Sequence, residues 1–188
     1  MQQYDFENSI GFMVNRTAKA YVKALDSELH EKVGITVGQW KVIVMLVRRN
    51  GLTQKEIAEK LGLEGPTLIP IIDKMEEEGL VVRKVDSSDR RNNRIYYTER
   101  VEALWDRMME CASKVRQTAL KGISEVDINI MRTSLDKIWY NLRDEFGVSR
   151  GYNVDTARIS GNASAVKGST VRHAALSSST RRIKKNRS

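Results

Sequence analysis

Apolar residues recur at three- and four-residue steps near the start of the chain. Phe6, Ile10, Met13, Thr17, Tyr21, Leu25 and Leu29 fall on one side of a helix. Residues 5–32 are therefore expected to form an amphipathic helix of roughly seven turns. Its stripe calls for a cover, either a partner subunit or the protein's own core.

The next segments carry their own start and stop signals. Thr36-Val-Gly-Gln39 has the spacing of a capping box, in which Thr36 caps and Gln39 reaches back. The helix it opens holds Trp40, Val42, Ile43, Met45, Leu46 and Val47, apolar nearly all round, so it is expected to be central and buried. Asn50-Gly51 ends it. A second box, Thr53-Gln-Lys-Glu56, opens a short helix with Ile57, Ala58 and Leu61 inward and Gly62 at its end. Glu64-Gly65-Pro66 then opens another, with Pro66 suited to the first helical position. That helix runs through Leu68, Ile71, Ile72 and Met75 to Gly79. Two short helices joined by Gly62-Leu63-Glu64-Gly65 have the layout of a helix-turn-helix.

The period then changes. Residues 80–85 and 95–98 are rich in β-formers, and the polar loop between them predicts a β-hairpin wing. Thr98 is placed to cap a long helix, with Glu99 and Glu102 favourable to its dipole. That helix carries Leu104, Trp105, Met108, Met109, Ala112 and Val115. Ser124-Glu-Val-Asp127 has the form of a cap for the last helix, whose Ile128, Met131, Leu135, Ile138, Leu142 and Phe146 fall at heptad-like steps. Three long apolar stripes exceed what one small core needs, which points to an interlocked homodimer. The fold class is mainly α with a small β-hairpin wing. Four parts are expected: an N-terminal dimerisation helix (5–34), a winged helix-turn-helix (35–98), C-terminal dimerisation helices (99–146) and a tail (147–188).

Charge sharpens this division. The 188-residue chain has a formal net charge of +8. Residues 147–188 hold nine bases and one acid, Asp155, which accounts for all of it. Residues 1–146 hold 23 bases and 23 acids. Any nucleic-acid surface on the body must be a local cluster, and one exists. From Arg83 to Arg94 there are five bases (Arg83, Lys84, Arg90, Arg91, Arg94) against two acids. The tail is rich in Ser, Gly, Ala, Asn and Arg without a structural period, so disorder is expected there. Its Arg181-Arg182-Ile183-Lys184-Lys185-Asn186-Arg187 end suits phosphate contact through counterion release; an incidental solvated extension is the other reading.

Several classes drop out. The longest apolar run, residues 42–47, is far short of the roughly 20 that span a membrane. No secretory layout opens the chain, and a cytoplasmic location is expected. Cys111 is the single cysteine and His30 and His173 the two histidines, so no metal site is expected. No glycine-rich phosphate loop or nucleophile–base pattern is found, so neither catalysis nor a cofactor is expected.

The order of elements, with one motif, resembles the MarR family of winged helix-turn-helix transcriptional regulators over residues 5–146. The residues that carry the resemblance are Gln39-Trp40, Leu52-Thr53-Gln54-Lys55-Glu56-Ile57-Ala58, Asp73-Lys74-Met75-Glu76 with Gly79-Leu80-Val81, and Asp86-x-x-Asp89-Arg90-Arg91 followed by Thr98-Glu99. The resemblance implies a homodimer that binds double-stranded DNA at a pseudo-palindromic operator and is tuned by a small-molecule effector. Arg90 and Arg91 then sit at the wing, one for the minor groove and one for phosphate or a nearby aspartate. Gln54, Lys55, Thr67 and Lys74 become the phosphate-positioning set, Gly65 lets the backbone approach, and Arg83 and Arg94 complete the basic wing. Arg16, Tyr21 and Trp40 border an effector pocket or simply pack. Cys111 reads as a buried inert thiol, and His30 as a residue favouring the end of the first helix.

Two departures stand out. Val101 occupies a position where the family usually has glycine. The second helix of the helix-turn-helix has no Lys or Arg between Glu64 and Ile72, and Pro70 stands where members often have a basic or hydroxyl residue. Readout of guanine by arginine is absent there. An architectural DNA-binding protein with weak sequence specificity is therefore the alternative.

Overall fold

The computed structural model describes residues 5–86, 89 and 92–147. Arg90, Arg91 and the tail beyond Gly147 lie outside the described residues. The element order is α1 (Ile10–Val33), α2 (Val37–Arg48), β1 (Leu52–Thr53), α3 (Gln54–Leu61), α4 (Gly65–Glu77), β2 (Val81–Val85), β3 (Asn93–Tyr97), α5 (Glu99–Ala119) and α6 (Glu125–Phe146).

Local chemistry sets most of the boundaries. Both capping boxes form. Thr36 accepts from the backbone of Gln39 while the Gln39 side chain accepts from the backbone of Thr36, and Thr53 and Glu56 repeat the arrangement. Each such cap contributes about 0.5–2 kcal/mol. Ser9, not Asp5, starts α1, because its hydroxyl accepts from the Phe12 N–H. Pro66 takes the second helical position of α4, after Gly65. The helix continues through Pro70, although proline in a helix interior removes one backbone hydrogen bond.

Thr98 stands at the N-cap of α5 but bonds elsewhere. Its hydroxyl donates to the Gly79 carbonyl at 2.6 Å. The cap expected from the sequence is replaced by a tie from the start of α5 to the end of α4.

The sheet has the order β1-β3-β2, all antiparallel. Its two-residue first strand was not expected. It exists because Leu52 pairs with Ile95 and Thr53 with Arg94, so the wing is stitched to the entrance of α3. Gly51 makes this approach possible. Its φ of 79° is left-handed, and a Cβ there would come within 2.8 Å of the Tyr96 ring.

The core gathers Ile35, Val42, Ile43, Leu46, Leu52, Ile57, Leu68, Ile72, Met75, Leu80, Ile95 and Val101. The end of α1 joins it through Leu29, and α5 through Met108 and Cys111. Trp40 of α2 stacks on Trp105 of α5 with centroids 5.7 Å apart. Lys114 of α5 clamps Glu28 of α1 at 2.7 Å. Farther along α1 and α6 the burial stops. Ile10, Met13 and Tyr21 are exposed, as are Met131, Leu135, Ile138, Leu142 and Phe146.

Candidate nucleic-acid interface

In the helix-turn-helix, α3 packs on α4 and leaves one face of α4 open. Leu68, Ile72 and Met75 turn inward. Gly65, Pro66, Thr67, Ile69 and Pro70 are exposed in the N-terminal half, and Asp73, Lys74, Glu76 and Glu77 in the C-terminal half. The two halves differ in chemistry: the first is uncharged, and the second is acidic.

The acidic half is where the basic wing makes its ties. Arg83 on β2 donates through one guanidinium nitrogen to Asp73 and through another to Glu76. Its backbone N–H also reaches Glu76, at 3.1 Å. Burial works against the charge, yet the two carboxylates hold the Arg83 pKa above its ordinary value. Lys74 lies 3.4 Å from Glu77 and 3.8 Å from Glu78. Glu78 in turn accepts from the buried Gln39 side chain at 2.6 Å, so the residue that completes the α2 capping box also anchors the end of α4.

Arg94 has a similar role at the other edge of the wing. It is paired with the buried Asp86 at 2.7 Å and donates to the Gly51 carbonyl at 2.8 Å. The hydrogen bond to Asp86 raises its pKa. Two of the five bases counted from the sequence are therefore engaged in holding the wing to α4 and to the entrance of α3. Among the described residues of the loop, the Asp86 N–H donates to the Asn92 carbonyl, and the Asn92 side chain donates to Asp89 at 3.0 Å. Arg90 and Arg91, which the sequence places at this tip, lie outside the described residues.

Of the remaining sequence candidates, Lys55 is exposed and Gln54 half-buried at the first turn of α3, while Gly65 and Thr67 are exposed at the first turn of α4. Asp73, Glu76 and the Gly51 carbonyl are partners that sequence reasoning missed. Their one signal is the step of three between two acids on α4, which presents both to the same neighbour.

The three effector candidates have different surroundings. The Arg16 guanidinium lies over the Phe12 ring at 5.8 Å. Tyr21 is exposed on α1, and Trp40 is stacked on Trp105. An open groove of about 550 Å³ lies elsewhere, lined among others by Asn50, Val82, Lys84, Tyr96 and Arg100, and none of the three borders it. Cys111 is buried, and burial raises its thiol pKa, which suits an unreactive packing residue. Among the described residues no group of His, Cys, Asp and Glu is placed to hold a metal, and no helix is long and apolar enough to cross a membrane.

Comparison with known proteins places this geometry. Residues 35–92 match the model of the MarR family. The solved transcriptional regulator PA3341 is 33% identical, with 73% of this chain and 100% of that chain covered and a TM-score of 0.64. A MarR-family transcriptional regulator from Rhodococcus sp. RHA1 is 28% identical, with 72% and 96% covered and a TM-score of 0.65. CouR from Rhodococcus jostii RHA1, solved bound to p-coumaroyl-CoA, is 27% identical, with 72% and 95% covered and a TM-score of 0.63.

Proposed function

Because the chain belongs to the MarR family of DNA-binding transcriptional regulators, which are not enzymes, we propose that it acts as a homodimer reading a pseudo-palindromic operator. A small-molecule effector tunes its affinity. The observation that carries this reading is the pair of uncovered stripes on α1 and α6. Ile10 and Met13 on α1, and Met131, Leu135, Ile138 and Leu142 on α6, stay exposed while flanking a winged domain that buries its own core. A second copy of the same stripes is the cover that closed symmetry supplies. Two α4 helices related by that symmetry then address two half-sites about one DNA turn apart.

In this reading Lys55, Gln54 and Thr67 hold phosphates, and Arg90 and Arg91 reach the groove beside the wing. Arg83, Arg94 and Lys74 act through the carboxylates they pair with. They offset part of the charge of Asp73, Glu76, Glu77, Glu78 and Asp86, which would otherwise repel the duplex more strongly. The effector reading draws on CouR, whose structure holds an acyl-CoA. Arg16, Tyr21 and Trp40 are its proposed border in the assembled dimer.

Genome-wide recovery of DNA fragments bound by the purified protein tests the proposal. A short inverted repeat protected by a dimer supports it. Uniform coating of any duplex would replace it with the architectural alternative.

A further inference from the structure

The exposed N-terminal half of α4 is unusual chemically for a helix that enters a major groove. Gly65, Pro66, Ile69 and Pro70 bring no side-chain donor or acceptor, and Thr67 brings one hydroxyl. Ile69 keeps 49% of its surface exposed although the core lies one position away at Leu68. Pro66 and Pro70 are one helical step apart, as are Gly65 and Ile69, so these residues form one continuous patch. The acidic half beyond it is partly offset by Arg83 on β2 and by Lys74 of α4 itself.

Base edges in the major groove are distinguished mainly by hydrogen-bond donors and acceptors, and thymine alone adds an apolar group, its 5-methyl. A patch with almost no polar atoms has no means of answering the donor and acceptor code. Pressed against a G·C pair, it would strip water from O6, N7 and N4 and leave them unpaired, which is costly. Against a thymine it covers a methyl instead. We propose that Ile69 and Pro70, with the Thr67 methyl, read thymine 5-methyl groups in each half-site, so that specificity at these positions comes from apolar contact. This rests on the operator-binding reading above.

Uracil provides the test, because it pairs as thymine does and lacks only the methyl. An operator is first selected from random duplexes with the full-length protein. Each thymine is then replaced singly by uracil, and binding is measured at fixed salt. At one or two thymines per half-site, the loss of one buried methyl should weaken binding about fourfold. Where cytosine is tolerated at those positions, 5-methylcytosine should restore a similar factor. In Ile69→Ala the thymine-to-uracil ratio should fall towards one at a matching position. Ile69 is half exposed, and alanine favours a helix, so the fold should survive; thermal melting checks this. The wild-type protein with uracil decides the matter without the variant. An operator indifferent to uracil at every thymine overturns this inference alone, as does an Ile69→Ala protein that keeps the full ratio. Recovery of no operator overturns the operator-binding reading as well.

Discussion

In the winged part of the chain Ile43, Leu46, Ile57, Ile72 and Ile95 have no exposed surface. Along α6, Met131, Leu135, Ile138 and Leu142 keep between 38% and 47% of theirs. The apolar content of the two regions is similar, but the means of covering it is not. The winged elements come from short helices and strands that meet from different directions, so each covers the others. Helix α6 is one long rod, and among the described residues it buries Ile128 alone. A long helix stabilised by tertiary packing needs a neighbour for its stripe, and here the chain itself provides little. The difference separates residues that close the winged core from apolar residues that the chain itself leaves uncovered.

The largest effect should come from the closed region. Ile43→Ala removes a fully buried side chain from the centre of the core and should cost about 2–5 kcal/mol in denaturant unfolding. A cost under about 1 kcal/mol would contradict a closed winged core. The open region should respond differently. Leu135→Glu places a charge on the uncovered stripe of α6 and should raise the dimer dissociation constant about tenfold or more, equal to about 1.4 kcal/mol. Analytical ultracentrifugation reads this directly, and a mutant that assembles as tightly as the wild type would remove α6 from the interface.

A smaller effect lies at the helix-turn-helix entrance. Thr53→Ala removes a capping hydroxyl and should cost about 1 kcal/mol. Its partner makes the cap sensitive to acid. The backbone N–H of Thr53, donating at 2.8 Å, holds the Glu56 carboxyl below its ordinary value of 4.5. A lowered folded pKa means that Glu56 contributes stability above 4.5, and that this is lost as pH falls through the folded value. Glu56→Gln should therefore be less stable than wild type at neutral pH, with the gap closing in acid. Urea titrations at a series of pH values check the sign; a gap that widens in acid would overturn it.

The wing tip should barely affect stability. Arg90→Ala and Arg91→Ala are expected to change it by less than about 0.5 kcal/mol and to weaken operator binding by several-fold. Unchanged affinity in both would mean that the tip makes no DNA contact.

The parts that were legible in the sequence are those with local causes. Both capping boxes, the helix-turn-helix and the hairpin follow from short-range spacing; the boxes form at the expected residues, and the second hairpin strand begins two residues earlier than expected, at Asn93. What escaped depends on residues far apart in the chain. Strand β1 is two residues long and has no period of its own; it exists only through pairing with Ile95 and Arg94. The Thr98 hydroxyl prefers a carbonyl 19 residues back to the helix it begins. Arg83 and Arg94 counted towards a basic surface in the sequence, whereas their carboxylate partners absorb them in the fold. Net local charge says how many bases a segment holds; it does not say how many remain for a ligand.

The folded body is neutral over residues 1–146, and several of its bases near α4 are paired with acids, while residues 147–188 carry a net +8. Duplex DNA attracts such charge whatever its sequence, and each phosphate neutralised steepens the salt dependence by about 0.9. Replacing Arg181, Arg182, Lys184, Lys185 and Arg187 by Gln in the full chain should leave unfolding and the preferred operator unchanged. Binding should weaken at low salt, and the plot of log affinity against log salt should become shallower, by about 0.9 for every phosphate no longer neutralised. The weakening should be proportionally greatest on random DNA, where the body has no base edges to recognise. An unchanged salt slope would make the segment a bystander. A changed operator would make it a reader of sequence, which composition alone gives it no means to be.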